Sequence, residues 1–164
     1  MAQRDTQVDG IERQLSSLSL DGKPPEGQFL YRILRPDENP EKIVAKDPGA
    51  QKTVLSHVNC GGRAYYQSQF VSTSASLDAA KHYKGATELR ICEIPVDKLP
   101  PNSKIVDLTT EENRDKYLGN AVCKKFAKKS EEVLLECSEP VPGTVVDPPQ
   151  KREGKTSGDT KQEL

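Results

Sequence analysis

Residues 67–83, QSQFVSTSASLDAAKHY, read as a strand followed at once by a helix. Gln67–Thr73 supplies the strand, and Ser76 is placed to cap a short helix over Leu77–Tyr83, because a serine oxygen can accept from the first free backbone N–H groups. Upstream, Ala50–Val58 (AQKTVLSHV) reads as a helix with Val54, Leu55 and Val58 on one face, stopped by Gly61-Gly62. Further back, Gln28–Leu34 (QFLYRIL) is β-rich and Arg35-Pro36 ends it, opening a loop that contains Pro36, Pro40 and Pro48. Downstream, Glu88–Ile94 alternates, with Leu89, Ile91 and Glu93 on one face. Lys104–Leu108 is a short strand. Thr109 and Glu112 have capping-box spacing and open a helix to about Leu118, where Gly119 stops it. Asn120–Lys129 reads as a second short helix, Glu131–Cys137 (EEVLLEC) as a strand, and Pro140–Val146 as an edge strand or coil. Short strands interleaved with helices and loops predict an α+β domain over residues 28–147.

The ends differ from this middle. Hydrophobic residues make up 34% of the chain and charged residues 30%, which is lean for a packed domain of 164 residues. Residues 1–27 are polar with a Pro24-Pro25 break, and are expected to be a disordered or loosely helical arm around Ile11–Leu20. Residues 148–164 (PPQKREGKTSGDTKQEL) carry one apolar side chain, Leu164, and are expected to be a disordered tail, because such segments cannot bury enough surface to offset chain entropy. No apolar run reads as a signal peptide or a membrane span, so an intracellular location, cytoplasmic or nuclear, and no membrane partner are expected, with the chain a monomer. The cysteines (Cys60, Cys92, Cys123, Cys137) are scattered without a CxxC pair, so no metal is expected and reduced thiols are the default. His57 and His82 fall on predicted helices and read as structural or exposed. No glycine-rich phosphate loop is present.

Three strings lie in strand context and in a fixed order: Tyr31-Arg32 on the first strand, Phe70-Val71-Ser72-Thr73-Ser74 on the second, and Glu132-Val133-Leu134-Leu135 on a late one. Together they resemble the Arg–Ser-Thr-Ser–Glu class of mono-ADP-ribosyltransferases, which includes the clostridial exoenzymes that modify Rho proteins, the cholera-toxin-like enzymes and the DNA-modifying pierisins. The resemblance covers roughly residues 28–142. It implies an ADP-ribosyltransferase-like β-sandwich of short strands with peripheral helices, and NAD as substrate with no metal. It implies that Glu132, rather than Glu131, is the catalytic carboxylate. NAD cleavage passes through an oxocarbenium-like state, as glycoside hydrolysis does, and a carboxylate at the ribose 2′-hydroxyl stabilises that developing cation. It further implies that Arg32 holds an NAD phosphate with its planar fork, that Ser72 orients Glu132, and that Thr73 and Ser74 hold the strand end. Tyr83, Tyr65 or Tyr66 would stack on nicotinamide; the sequence does not choose, and Tyr83 is the first candidate.

In that family the residue two before the catalytic glutamate is usually Glu or Gln. Here it is Ser130, expected on the same strand face as Glu132. A serine is too short to act as a carboxylate base toward an arginine acceptor. Residues 114–129 contain six basic side chains against one acidic, Asp115. Lys124 and Lys128 share a helical face, as do Lys125 and Lys129, and such rows suit phosphate contacts. A nucleic-acid acceptor, a guanine base of DNA, is therefore expected slightly ahead of a protein acceptor, with Ser130 and the four lysines at the acceptor. A non-catalytic binding module on the same fold stays open as the alternative.

Overall fold

The computed structural model describes residues 28–85 and 87–147. The arm and the tail expected from composition lie outside the described residues.

Among the described residues, six strands and four helices form the α+β domain. In chain order they are β1 (Phe29–Ile33), α1 (Val54–Cys60), β2 (Phe70–Ser74), α2 (Leu77–Lys84), β3 (Ile91–Pro95), a 3-10 turn (Val96–Lys98), β4 (Lys104–Asp107), α3 (Glu111–Leu118), α4 (Cys123–Lys129), β5 (Glu132–Glu136) and β6 (Thr144–Asp147). The strands run β4-β5-β2-β1-β3-β6 in one sheet. Every neighbouring pair is antiparallel. The strands join in one hydrogen-bonded sheet because β1 pairs on both of its edges. The joint in its middle is thin. β1 and β2 register through one pair, Tyr31↔Ser74, against five pairs between β1 and β3 and five between β2 and β5.

Alternation sends the two faces of the sheet to two cores. Leu30, Val71, Cys92, Ile94, Val133 and Leu135 join Leu34, Ile43 and Val141 from the loops in the larger one. On the opposite face Phe70 and Leu134 meet Val54 of α1, Leu118 of α3 and Ala127 of α4. β5 feeds both, with Val133, Leu134 and Leu135 each fully buried, which accounts for its unbroken aliphatic run.

Local hydrogen bonds decide where the elements begin. Ser76 caps α2 as expected, accepting from Ala79 N at 3.1 Å, and Gly119 ends α3 at φ +55°. The first predicted helix starts at Val54 rather than Ala50, because Thr53 caps it through Ser56 N at 3.1 Å. The expected cap at Thr109 is also displaced. Thr109 gives its hydroxyl to Asp107 Oδ1 at 2.6 Å, and Thr110 caps α3 instead by accepting from Asn113 N at 3.1 Å. α4 begins at Cys123 rather than Asn120, and β5 at Glu132 rather than Glu131, whose φ of +46° cannot continue a strand. β2 and β3 are each shifted toward the C-terminus of their predicted spans.

The thin joint is clasped by Arg32. Its Nη1 donates to the Ser72 carbonyl of β2 at 2.8 Å, and its Nε donates to Glu38 Oε1 at 2.9 Å. Glu38 is buried, and its other oxygen accepts from Arg35 N at 3.0 Å. Removing one partner of a buried pair leaves a charge without compensation, so Arg32→Met should cost about 3 kcal/mol of unfolding free energy. Urea unfolding followed by circular dichroism checks this, and an unchanged midpoint would mean that the clasp does not hold the two halves together.

Candidate functional site

A cavity of about 630 Å³ opens beside this joint. β1 and β2, joined there by a single registered pair, both line it, as do residues of α1, α2 and α4. Arg32, Ser72, Thr73, Ser74, Tyr83 and Glu132 all line it, as does Ser130, so residues far apart in the chain converge on one site. Arg32 and Ser72 alone are separated by 40 positions.

Glu132 is the first residue of β5, paired across to Ser74. The residue is 5% exposed, and Oε2 has no hydrogen-bond partner among the described residues. Burial raises its carboxyl to about 7, against a smaller lowering by a hydrogen bond from Ser72. Ser72 Oγ also lies 2.7 Å from His57 Nε2. His57 Nδ1 lies 2.6 Å from Ser68 Oγ. Burial, then Arg32 and then Lys46, lower His57 to about 4, so its ring is neutral at neutral pH. The edge of the ring meets Phe70 at 5.4 Å between centroids. Gly61 makes room for it: a Cβ there would come 2.5 Å from the His57 carbonyl and 3.2 Å from Nε2.

The predicted residues divide by what their atoms do. Thr73 donates its hydroxyl to the Val133 carbonyl at 2.6 Å and ties β2 to β5, as expected for a strand-end residue. Ser130 is not on a strand face. It is the C-cap of α4, its hydroxyl donates to the Phe126 carbonyl at 3.0 Å, and the φ of Glu131 breaks the alternation assumed between positions 130 and 132. Tyr83 lines the cavity at 56% exposure, packs edge-on against Phe126 at 5.0 Å, and is raised in pKa by burial and by Glu132. Tyr66 also lines the cavity, whereas Tyr65 points away and accepts from Arg63 at 2.8 Å. None of Lys124, Lys125, Lys128 and Lys129 lines the cavity. Val122 at the N-cap of α4 and Cys123 and Phe126 within it do so, and Lys124 pairs with Asp115. Glu131 also points elsewhere and accepts from the Ser76 hydroxyl.

Sequence reading missed His57 and Glu38. His57 carries no periodic signal beyond its helix, and its place is legible only in the glycine four residues later that lets the ring approach. Glu38 sits in a Pro-Asp-Glu turn that reads as ordinary loop, and only the tertiary contact with Arg32 gives it weight. Arg35 and Lys46 add positive charge to the same cavity wall. Among the described residues no group of three metal-ligating side chains occurs, and no helix is long and apolar enough to cross a membrane.

No family model matches the chain, and neither a curated protein nor a solved structure matches it.

The two perturbed groups give stability opposite pH dependences. Glu132 holds more protons in the fold than in the unfolded chain between 4.5 and about 7, so its contribution to stability is lost as pH rises through that window. His57 holds fewer in the fold between about 4 and 6.5, so its contribution is lost as pH falls through that range. Glu132→Gln removes the first effect alone. Its melting temperature relative to the wild type should therefore climb as pH is raised from about 5 to about 8 in a calorimetric series. A constant difference would mean that Glu132 titrates as an ordinary surface carboxylate.

Proposed function

We propose that the protein is a mono-ADP-ribosyltransferase that cleaves NAD at the cavity and transfers ADP-ribose, on an ADP-ribosyltransferase-like fold whose two half-sheets meet beside Arg32. The observation that carries this reading is the convergence of Arg32, Ser72 and Glu132 on one cavity, in the order and strand contexts of the Arg–Ser-Thr-Ser–Glu class.

The chemistry follows from the residues. Glu132, ionised, accepts from the ribose 2′-hydroxyl and stabilises positive charge as the nicotinamide bond breaks. A developing cation beside a carboxyl poised near neutrality favours its ionised form, so the group gains charge where the reaction needs it. Arg32 spends two of its N–H donors on the clasp, and its remaining donors, with Arg35 and Lys46, give the diphosphate a positive wall. Tyr83, half-exposed at the rim, offers a face to the nicotinamide. For the acceptor we propose a nucleic-acid base, with a protein side chain as the alternative. Lys125, Lys128 and Lys129 are exposed on α4, whose Phe126 reaches the cavity.

Nicotinamide release by the purified full chain tests the reading. Glu132→Gln should lower kcat by ~100-fold or more, and Glu131→Gln should leave it near wild type. The wild-type rate should rise with pH through about 7, where Glu132 ionises. Equal loss in both variants would contradict the assignment, and a wild type that releases no nicotinamide would overturn the function. Labelled NAD offered with duplex DNA and with a protein extract then reports the acceptor.

A further inference from the structure

A chain of hydrogen bonds leads from the interior to Ser72, which lines the cavity together with Glu132, and its direction is set at its inner end. Ser68 is 3% exposed, two residues before β2. Among the described residues its Oγ meets Phe70 N at 3.3 Å and His57 Nδ1 at 2.6 Å. His57 Nε2 meets Ser72 Oγ at 2.7 Å, and Ser72 and Glu132 stand on the adjacent strands β2 and β5 and line the same cavity.

The proton inventory decides which way this chain runs. A hydroxyl has one proton to donate and two lone pairs, and a neutral imidazole has one N–H and one acceptor nitrogen. Phe70 N–H can only donate, so it occupies one lone pair of Ser68. With Ser68 giving its proton to Nδ1, the His57 proton sits on Nε2 and is donated to Ser72 Oγ. The Ser72 proton is then available to the Glu132 carboxylate. With the His57 proton on Nδ1 instead, Ser68 accepts twice and its own proton has no partner in this chain. Ser72 then spends its proton on Nε2 and turns only lone pairs toward Glu132, an arrangement that suits the protonated acid. The two directions therefore match the two protonation states of Glu132, and the burial of Ser68, which the second direction would leave with an unpaired proton, favours the first.

We propose that Ser68 is a positioning residue that holds His57 as the Nε2–H tautomer, so that Ser72 directs its proton at the Glu132 carboxylate. The surroundings agree with a neutral, fixed ring. Arg32 from β1 and Lys46 from the following loop act on His57 as cations and disfavour a second ring proton. Phe70 and Tyr66 flank the ring, and Gly61 admits it. Tyr83 of α2 and Cys123 of α4 are the titratable groups that feel Glu132 from the other side, and neither interposes in the chain. The tautomer stands on this geometry alone, and its effect on catalysis rests on the ADP-ribosyl-transfer reading.

Nitrogen NMR of the imidazoles in the full-length protein at about pH 8 reads the tautomer directly. Only two histidines are present, and His82→Gln assigns His57. The expected result is Nε2–H in the wild type, a shift toward Nδ1–H in Ser68→Ala, and recovery of Nε2–H in Ser68→Thr, which keeps the hydroxyl. In the NAD-cleavage assay Ser68→Ala should lower kcat by about 10- to 100-fold with KM unchanged, since a wrong tautomer disables a positioned imidazole by at least this factor. The pH limb assigned to Glu132 should move upward, and Ser68→Thr should restore both. Nδ1–H in the wild type, or an unchanged Nε2–H in Ser68→Ala, would overturn the proposal. A wild type that carries Nε2–H but does not cleave NAD would sustain the tautomer and count against the functional reading alone.

Discussion

The Arg32 guanidinium is the contact on which the arrangement depends. β1 and β2 share one registered pair, and a joint that thin would leave the sheet as two loosely tethered halves. Arg32 bridges it from β1 to the Ser72 carbonyl and anchors its other side on Glu38, which the turn after β1 folds back into place. A buried carboxylate holding two backbone-anchored partners is costly to disrupt, so the clasp also fixes the backbone that carries Ser72. The cavity lies beside the clasp and is lined by both strands. Stability and site geometry thus rest on the same side chain.

The cavity brings groups of opposite charge type together. Positive groups, Arg35 and Lys46, line it together with a carboxyl that burial holds close to neutrality. Between them a neutral imidazole transmits hydrogen bonding without adding charge. Such an arrangement suits an anionic, extended ligand whose far end becomes cationic during reaction, which is what NAD presents in the proposed chemistry.

Local chemistry was legible in the sequence wherever a single competitor decided it. Ser76 had no rival as a cap, and Gly119 could adopt the φ that ends α3. Where two residues competed, the sequence could not choose: Thr109 and Thr110 both fit the cap, and Asp107 settled the matter by taking Thr109. Arg32, Ser72 and Glu132 could be singled out because their strings stand on strands in a fixed order, and the structure brings all three to one cavity. Ser130 was misassigned to a strand face because nothing local announces that Glu131 takes a left-handed φ. His57 and Glu38 were invisible for a related reason. Each acquires its role from a partner distant in the chain, Ser72 in one case and Arg32 in the other, and no periodicity records such contacts.

The central claim is that NAD occupies the cavity between the clasp and Glu132, and a titration observed residue by residue tests it most directly. NAD added to the full-length Glu132→Gln protein, which binds without turnover in this account, should give saturable backbone and imidazole NMR shifts confined to Arg32, Ser72–Ser74, His57, Tyr83 and the start of β5. An absence of saturable shifts, or shifts centred elsewhere, such as on the exposed lysines of α4, would contradict it.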